Sequence, residues 1–169
     1  MPQPGEATSW IMSEPGFLEL TPQEKNEAGS FSFVWGMFEL GVMHALGKAP
    51  SESLGRLTCR EYAHSIFIPK ANLNAEITYF KNLFFTEVGN PTEAWNNAYF
   101  RSADKSEEIK AILLKSQHVF EEDAEALIRI VVRFRNNFFH GLKWAYQLRG
   151  QLNNFVHASS VLIKLMPAT

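Results

Sequence analysis

With 169 residues, 46% apolar and 20% charged, the chain has the length and composition of one globular domain with a self-sufficient core. A formal charge of −2 excludes a uniformly basic nucleic-acid coat, and a lone cysteine, Cys59, excludes an intramolecular disulfide and a Cys-rich zinc site. No apolar run approaches the roughly 20 residues that span a bilayer, and early acids (Glu6, Glu14) oppose a signal peptide, so the expected location is the cytoplasm, away from any membrane.

Residues 1–20 carry three prolines and two glycines with no clear period and read as an irregular arm. Thr21-Pro22-Gln23-Glu24 has the form of a capping box with proline at the first helical position, which predicts a helix running to about Gly47. From Phe31 onward that helix is apolar nearly all round, a pattern that belongs inside a bundle or at a subunit interface. Pro50 and Gly55 mark a loop, a short helix is expected over Cys59–Phe67, and Pro69 interrupts it. Leu73, Ile77, Phe80 and Phe84 put one apolar face on a helix over Ala71–Glu87. Gly89-Asn90-Pro91 is a break, after which short helices are expected over 92–100 and 106–116. Phe120, Ala124, Leu127, Val131, Phe134 and Phe138 then repeat at helical spacing, as do Leu148, Leu152, Phe155, Ser159, Leu162 and Met166. With no sustained strand-like alternation, the class is all-α: a bundle of four to five main helices with short accessory ones, forming one domain over 21–169.

The charge is unevenly placed. Residues 126–169 hold six basic residues and no acid, whereas residues 1–125 hold the other 10 basic and all 18 acidic ones, a balance of −8. Such asymmetry suggests either a local anionic partner or arginines that lace the fold to its acidic helices.

On a wheel of about 100° per residue for helix 120–140, Arg129, Arg133, Asn136 and His140 fall roughly opposite the apolar stripe, whereas Arg135 falls inside it. A guanidinium cannot discharge to escape burial, so Arg135 needs a carboxylate, a carbonyl or a phosphate there. His140 precedes Gly141, a residue type favoured at a left-handed helix end. There the negative end of the helix dipole favours the imidazolium and moves its pKa toward about 7. In a straight helix Arg135 and His140 point about 140° apart, so they converge only if the helix ends or bends, or if two subunits bring their copies together. The bare Arg-x4-His spacing is weak, since roughly 0.2 matches are expected by accident in this composition. The neighbouring Asn136, the Gly141 stop and the place between the two strongest helices raise its value. Its structural alternative is a buried arginine bridging helices beside a satisfied C-cap histidine.

The run Arg135-Asn136-Asn137-Phe138-Phe139-His140-Gly141-Leu142-Lys143 resembles the Arg-x(4–6)-His signature of the HEPN superfamily (higher eukaryotes and prokaryotes nucleotide-binding domain). Phe31, Trp35 and Phe38 likewise resemble the F-x-x-x-W-x-x-F pattern of an early HEPN helix. The resemblance is dense only over 127–143, and residues 48–118 look generic. It implies an all-α homodimer that joins two motif copies in one cleft, and in many members a metal-independent endoribonuclease without cofactor, in defence, toxin–antitoxin or stress settings. On that basis His140 is the expected general base or acid for attack of a ribose 2′-OH on the adjacent phosphate. Arg135 is expected to hold the phosphate and stabilise the transition-state charge, and Asn136 to orient the histidine or a phosphate oxygen. Lys143 and Arg133 are candidate substrate contacts. Where toxin members paired with an antitoxin carry a tyrosine two residues after the histidine, this chain has Leu142, which argues against control by AMPylation. Other members bind nucleotide or RNA without cleaving it, so the alternative is a non-catalytic binding or protein-interaction module.

Glu39 is expected to form an interhelical ion pair with Arg135 or Arg133. His44, His64, His118 and His157 have no metal-ligand spacing and read as structural or exposed. The aromatics follow helix periods and read as core. No Gly-rich phosphate loop or serine nucleophile motif is present.

Overall fold

In the computed structural model, which describes residues 5–11, 13–139 and 149–168, every regular element is helical. The N-terminal arm differs from the irregular reading: it contains two short helices, α1 (Glu6–Ile11) and α2 (Pro15–Leu18). Segments of one or two turns carry too few residues to show a helical period. Gly5 opens α1 at φ +89° and its carbonyl accepts the Ser9 N–H at 2.8 Å. Phe17 and the buried Leu20 fasten the arm to the bundle, with Lys25 Nζ 4.7 Å above the Phe17 ring.

The long helix α3 (Pro22–Ala45) opens on the expected capping box: Thr21 Oγ1 accepts the Glu24 N–H at 3.2 Å, and Glu24 Oε2 accepts the Thr21 N–H at 2.9 Å. It closes on a Schellman pair, Lys48 N–H to Met43 O and Gly47 N–H to His44 O, with Gly47 at φ +65°. Phe31, Trp35, Phe38 and Val42 are buried along one side, whereas Phe33, Met37 and Leu40 stand exposed on another, at 79%, 66% and 57%. The helix is thus half in the bundle and half an open apolar stripe. Gly41 lets the chain end approach: a Cβ there would lie 2.9 Å from Pro167 Cγ.

Helix α4 (Arg56–Ala63) starts three residues before the expected Cys59, and α5 (Asn74–Phe84) three residues after the expected Ala71. α5 starts late because Asn72 Oδ1 accepts the Asn74 N–H at 2.9 Å, an Asx turn that holds the chain out of the helix. A short α6 (Glu93–Asn96), a 3-10 turn (Ser102–Asp104) and α7 (Ser106–Leu113) lead to α8 (Phe120–Phe139) and α9 (Leu152–Lys164). α3 packs along α9, while α8 is held between α4, α7 and α9.

α8 is the central helix. Residues 123–131 are buried without a break, so the wheel's outer face is covered rather than solvated. Its C-terminal half enters an aromatic cluster: Phe134 and Phe138 lie 5.1 and 5.3 Å from Phe155, and Phe31 lies 5.5 Å from Phe134, all edge-on or nearly so. Such pairs contribute about 0.5–1.5 kcal/mol each beyond the area they bury. One continuous apolar core joins α3, α4, α5, α7, α8 and α9, and no described helix is long and apolar enough to cross a membrane.

Candidate functional site

Three arginines leave α8 within seven residues, and the structure gives them different work. Arg129 is 5% exposed. It donates Nη1 to Glu125 Oε1 at 2.9 Å, one helical turn back, and to Glu108 Oε2 at 3.0 Å on α7. Its Nη2 donates to the carbonyls of Asp104 and Lys105. Two carboxylates and two carbonyls around one guanidinium make it a bridge between α8, α7 and the 3-10 turn.

Arg133 is 6% exposed. Its Nε donates to Ala98 O at 3.2 Å and its Nη2 to Asn137 Oδ1, while Asn137 Nδ2 returns to Ala98 O at 2.7 Å. The i,i+4 pair therefore clamps the segment after α6. The nearest carboxylate to Arg133, Asp104, is at 3.7 Å, beyond hydrogen-bond reach. Burial pulls this guanidinium below its ordinary pKa, Asp104 works the other way, and Arg101 adds to the lowering.

Arg135, placed inside the apolar stripe by the wheel, is half-buried. Its guanidinium carbon lies 5.3 Å from the centre of the Trp35 ring, a cation–π distance, and Nη1 donates to Asn136 Oδ1 at 3.0 Å. Trp35 is itself fixed: its indole N–H donates to Glu39 Oε2 at 3.0 Å. Arg135, Asn136, Trp35, Glu39, Arg129 and Cys59 line a cleft of about 150 Å³ between α3, α4 and α8. Burial pushes the Cys59 thiol up to about 12, so it is no nucleophile in that cleft.

The expected site is thereby divided. Arg135 and Asn136 line one cleft together. Arg133, expected as a contact to the same substrate, lines a different and larger one, because positions 133 and 135 are about 200° apart around α8. The wheel placed Arg129 and Arg133 opposite the apolar stripe, and α7 and residues 98–105 cover that face, so both arginines lace the fold, one of the two readings of the charge asymmetry. His140 and Lys143, together with Gly141, lie outside the described residues. Glu39 serves the indole of Trp35. Two partners were not foreseen. Trp35 is named by the sequence only as a patterned aromatic, and the sign of its contact with Arg135 was that both sit on buried stripes. Asn137 was legible as the i+4 partner of Arg133.

Of the six basic residues in the acid-free segment, Arg129, Arg133 and Lys164 are laced to Glu108, Glu125, Asp104 and Glu76. Arg149 is exposed. The asymmetry is therefore partly spent inside the fold. Among the histidines, His118 Nδ1 meets Asp123 Oδ1 at 2.8 Å, His157 stacks on Tyr79 at 3.7 Å, and His44 is exposed. No cluster of His, Cys, Asp or Glu among the described residues has the arrangement of a metal site. Compared with family models, with curated proteins and with solved structures, the chain matches none.

Proposed function

We propose that the chain is a metal-independent endoribonuclease of HEPN type, working as a homodimer in which Arg135, Asn136 and His140 act on the scissile phosphate. The observation that carries this reading is Arg135: a guanidinium held on the Trp35 ring at the wall of a small cleft, five residues before a histidine. The two segments that resemble HEPN patterns are about a hundred residues apart in sequence and pack on each other, Trp35 against Arg135 and Phe31 against Phe134 and Phe138. The cleft volume of 150 Å³ is below that of a site for a whole small molecule and suits a single phosphate group, with the rest of the strand outside. The exposed stripe Phe33, Met37 and Leu40 lies on the same helix as Trp35 and offers a surface for a second copy.

In this reading His140 removes the 2′-OH proton as the oxygen attacks phosphorus, and an imidazolium, in the same or the partner subunit, returns a proton to the departing 5′-oxygen. Arg135 neutralises the charge that builds on the non-bridging oxygens. The products are a 2′,3′-cyclic phosphate and a 5′-hydroxyl. The setting is defence, a toxin–antitoxin pair or stress. Single-stranded RNA incubated with the protein in EDTA should be cut, and Arg135→Ala and His140→Ala should each lower the rate by about two orders of magnitude or more. Cleavage unaffected by either change would overturn the assignment.

A further inference from the structure

Among the described residues that line the cleft between α3, α4 and α8, Arg56, Arg129 and Arg135 carry positive charge, and Glu39 and Asp104 negative. Arg56 and Arg129 meet Glu108 at 3.3 and 3.0 Å, and Asp104 Oδ2 accepts the backbone N–H of Arg101 at 2.7 Å. Glu39 differs. No cation pairs with it among the described residues. Its Oε2 accepts the Trp35 indole N–H at 3.0 Å, and its Oε1 is neither hydrogen-bonded nor enclosed. We propose that Glu39 determines base specificity: its carboxylate accepts N1–H and N2–H of a guanine flanking the scissile phosphate, an inference that rests on the endoribonuclease reading above.

An indole N–H needs one neutral acceptor, which glutamine would supply as well. The charge of Glu39 exceeds that need and, near Arg135, opposes a phosphate in the cleft. A ligand that offers donors accounts for a carboxylate there. Position agrees. Arg135 lies over the face of Trp35 at 5.3 Å and Glu39 at its N–H edge, so the two stand within the span of one nucleotide. Helical side chains lean toward the N-terminus, which carries Glu39 over the turn that holds Trp35 and Gly36. Gly36 is exposed, and a Cβ built on it would meet nothing within 4 Å. A flat ring can therefore lie beside the carboxylate, outside the cleft that takes the phosphate.

In single-stranded RNA the Watson–Crick edge of each base is open to be read. Guanine presents two adjacent donors there, N1–H and N2–H, which match the two carboxylate oxygens. Adenine and cytosine set one amino group beside a ring-nitrogen acceptor, and the N3–H of uracil stands between two carbonyl oxygens. A carboxylate repels each of those acceptors. A bidentate pair of this kind discriminates by about tenfold or more.

The test uses oligouridine strands carrying one central guanine, inosine, adenine or cytosine, or none, incubated with the protein in EDTA. A second set with 2′-deoxy sugars at and beside the centre cannot be cut there and reads binding by fluorescence anisotropy. The wild type should cut beside guanine, and bind guanine strands, about tenfold better than uridine alone. Inosine, which lacks the 2-amino group, should forfeit most of that margin. Glu39→Gln keeps an acceptor for Trp35 and should bring guanine within about twofold of the other bases. If RNA is cut without regard to guanine, or Glu39→Gln keeps the preference, this inference falls and the nuclease reading stands. If nothing is cut, the nuclease reading falls and the uncleavable strands decide: equal affinity for guanine and uridine strands, or none for either, overturns the inference. Should Glu39→Gln fail to fold by far-ultraviolet circular dichroism, the wild type decides alone, and inosine equal to guanine overturns it.

Discussion

Replacing Arg129 by methionine should be among the most damaging single changes in this protein, although the sequence places it on a polar helix face. The residue is 5% exposed, and its removal strands the Glu125 carboxylate, whose side chain is 8% exposed. Glu125 would keep only the more distant Arg60 and His64, at 3.9 and 3.8 Å, both largely in solvent. The carbonyls of Asp104 and Lys105 lose their donors at the same time. Breaking a buried pair in this way costs about 3–5 kcal/mol, whereas replacing both partners by apolar groups is often near neutral. For a chain of this size each kcal/mol shifts the melting temperature by about 2–4 °C, so Arg129→Met should lower it by roughly 6–20 °C. Arg129→Met/Glu125→Leu should recover more than half of that loss, giving a coupling energy above about 1 kcal/mol in a double-mutant cycle. Urea unfolding followed by circular dichroism reads both quantities. A single variant within about 1 kcal/mol of wild type would refute the reasoning, because it would mean that water screens the pair as it screens a surface one.

Other changes probe separate parts of the fold. Tyr62→Phe removes a buried hydroxyl that donates to Leu165 O at 2.6 Å and should cost about 1–3 kcal/mol in urea unfolding. Burial alone would raise the pKa of Glu76, but its bonds to Lys164 and Ser160 outweigh it and hold the carboxyl below its ordinary 4.5. A depressed acid stabilises above its unfolded pKa and loses that contribution as pH falls through the folded one. The stability gap between wild type and Glu76→Gln should therefore narrow as pH drops below about 4.5; a gap independent of pH would contradict it. Met37→Glu, in the middle of the exposed α3 stripe, should shift the sedimenting species from dimer to monomer without lowering the melting temperature of the monomer, if that stripe is the self-association surface. Cys59, fully enclosed and with its thiol pKa raised to about 12, should react with a disulfide reagent only as fast as the protein unfolds.

Where one rule dominated, the sequence was readable. The Thr21–Glu24 box and Gly47 delimit α3 because capping chemistry is local. The spacing of Phe120 to Phe138 located α8 because helical periodicity survives any packing around it. Burial on the far side of α8 was not readable: it depends on α7 and residues 98–105 arriving there, and a wheel contains no information about neighbours. For Arg129 and Arg133 the charge asymmetry left two readings open, an anionic partner or lacing to the acidic helices, and the acids in residues 104–125 held the partners for the second. The converse holds for Arg135. Its position in an apolar arc was a true sign of an unusual environment, and the environment is the face of Trp35. Two arginines two residues apart on one helix cannot easily share a ligand, and that geometric limit separated Arg133 from the motif.

The measurement closest to the central claim is product analysis of single-stranded RNA treated with the purified protein in EDTA. Fragments ending in a 2′,3′-cyclic phosphate and beginning with a 5′-hydroxyl are expected from the wild type. They should fall by about two orders of magnitude with Arg135→Ala and with His140→Ala, each checked for native folding. Intact RNA across varied sequences, or equal cleavage by the wild type and both variants, would contradict the account.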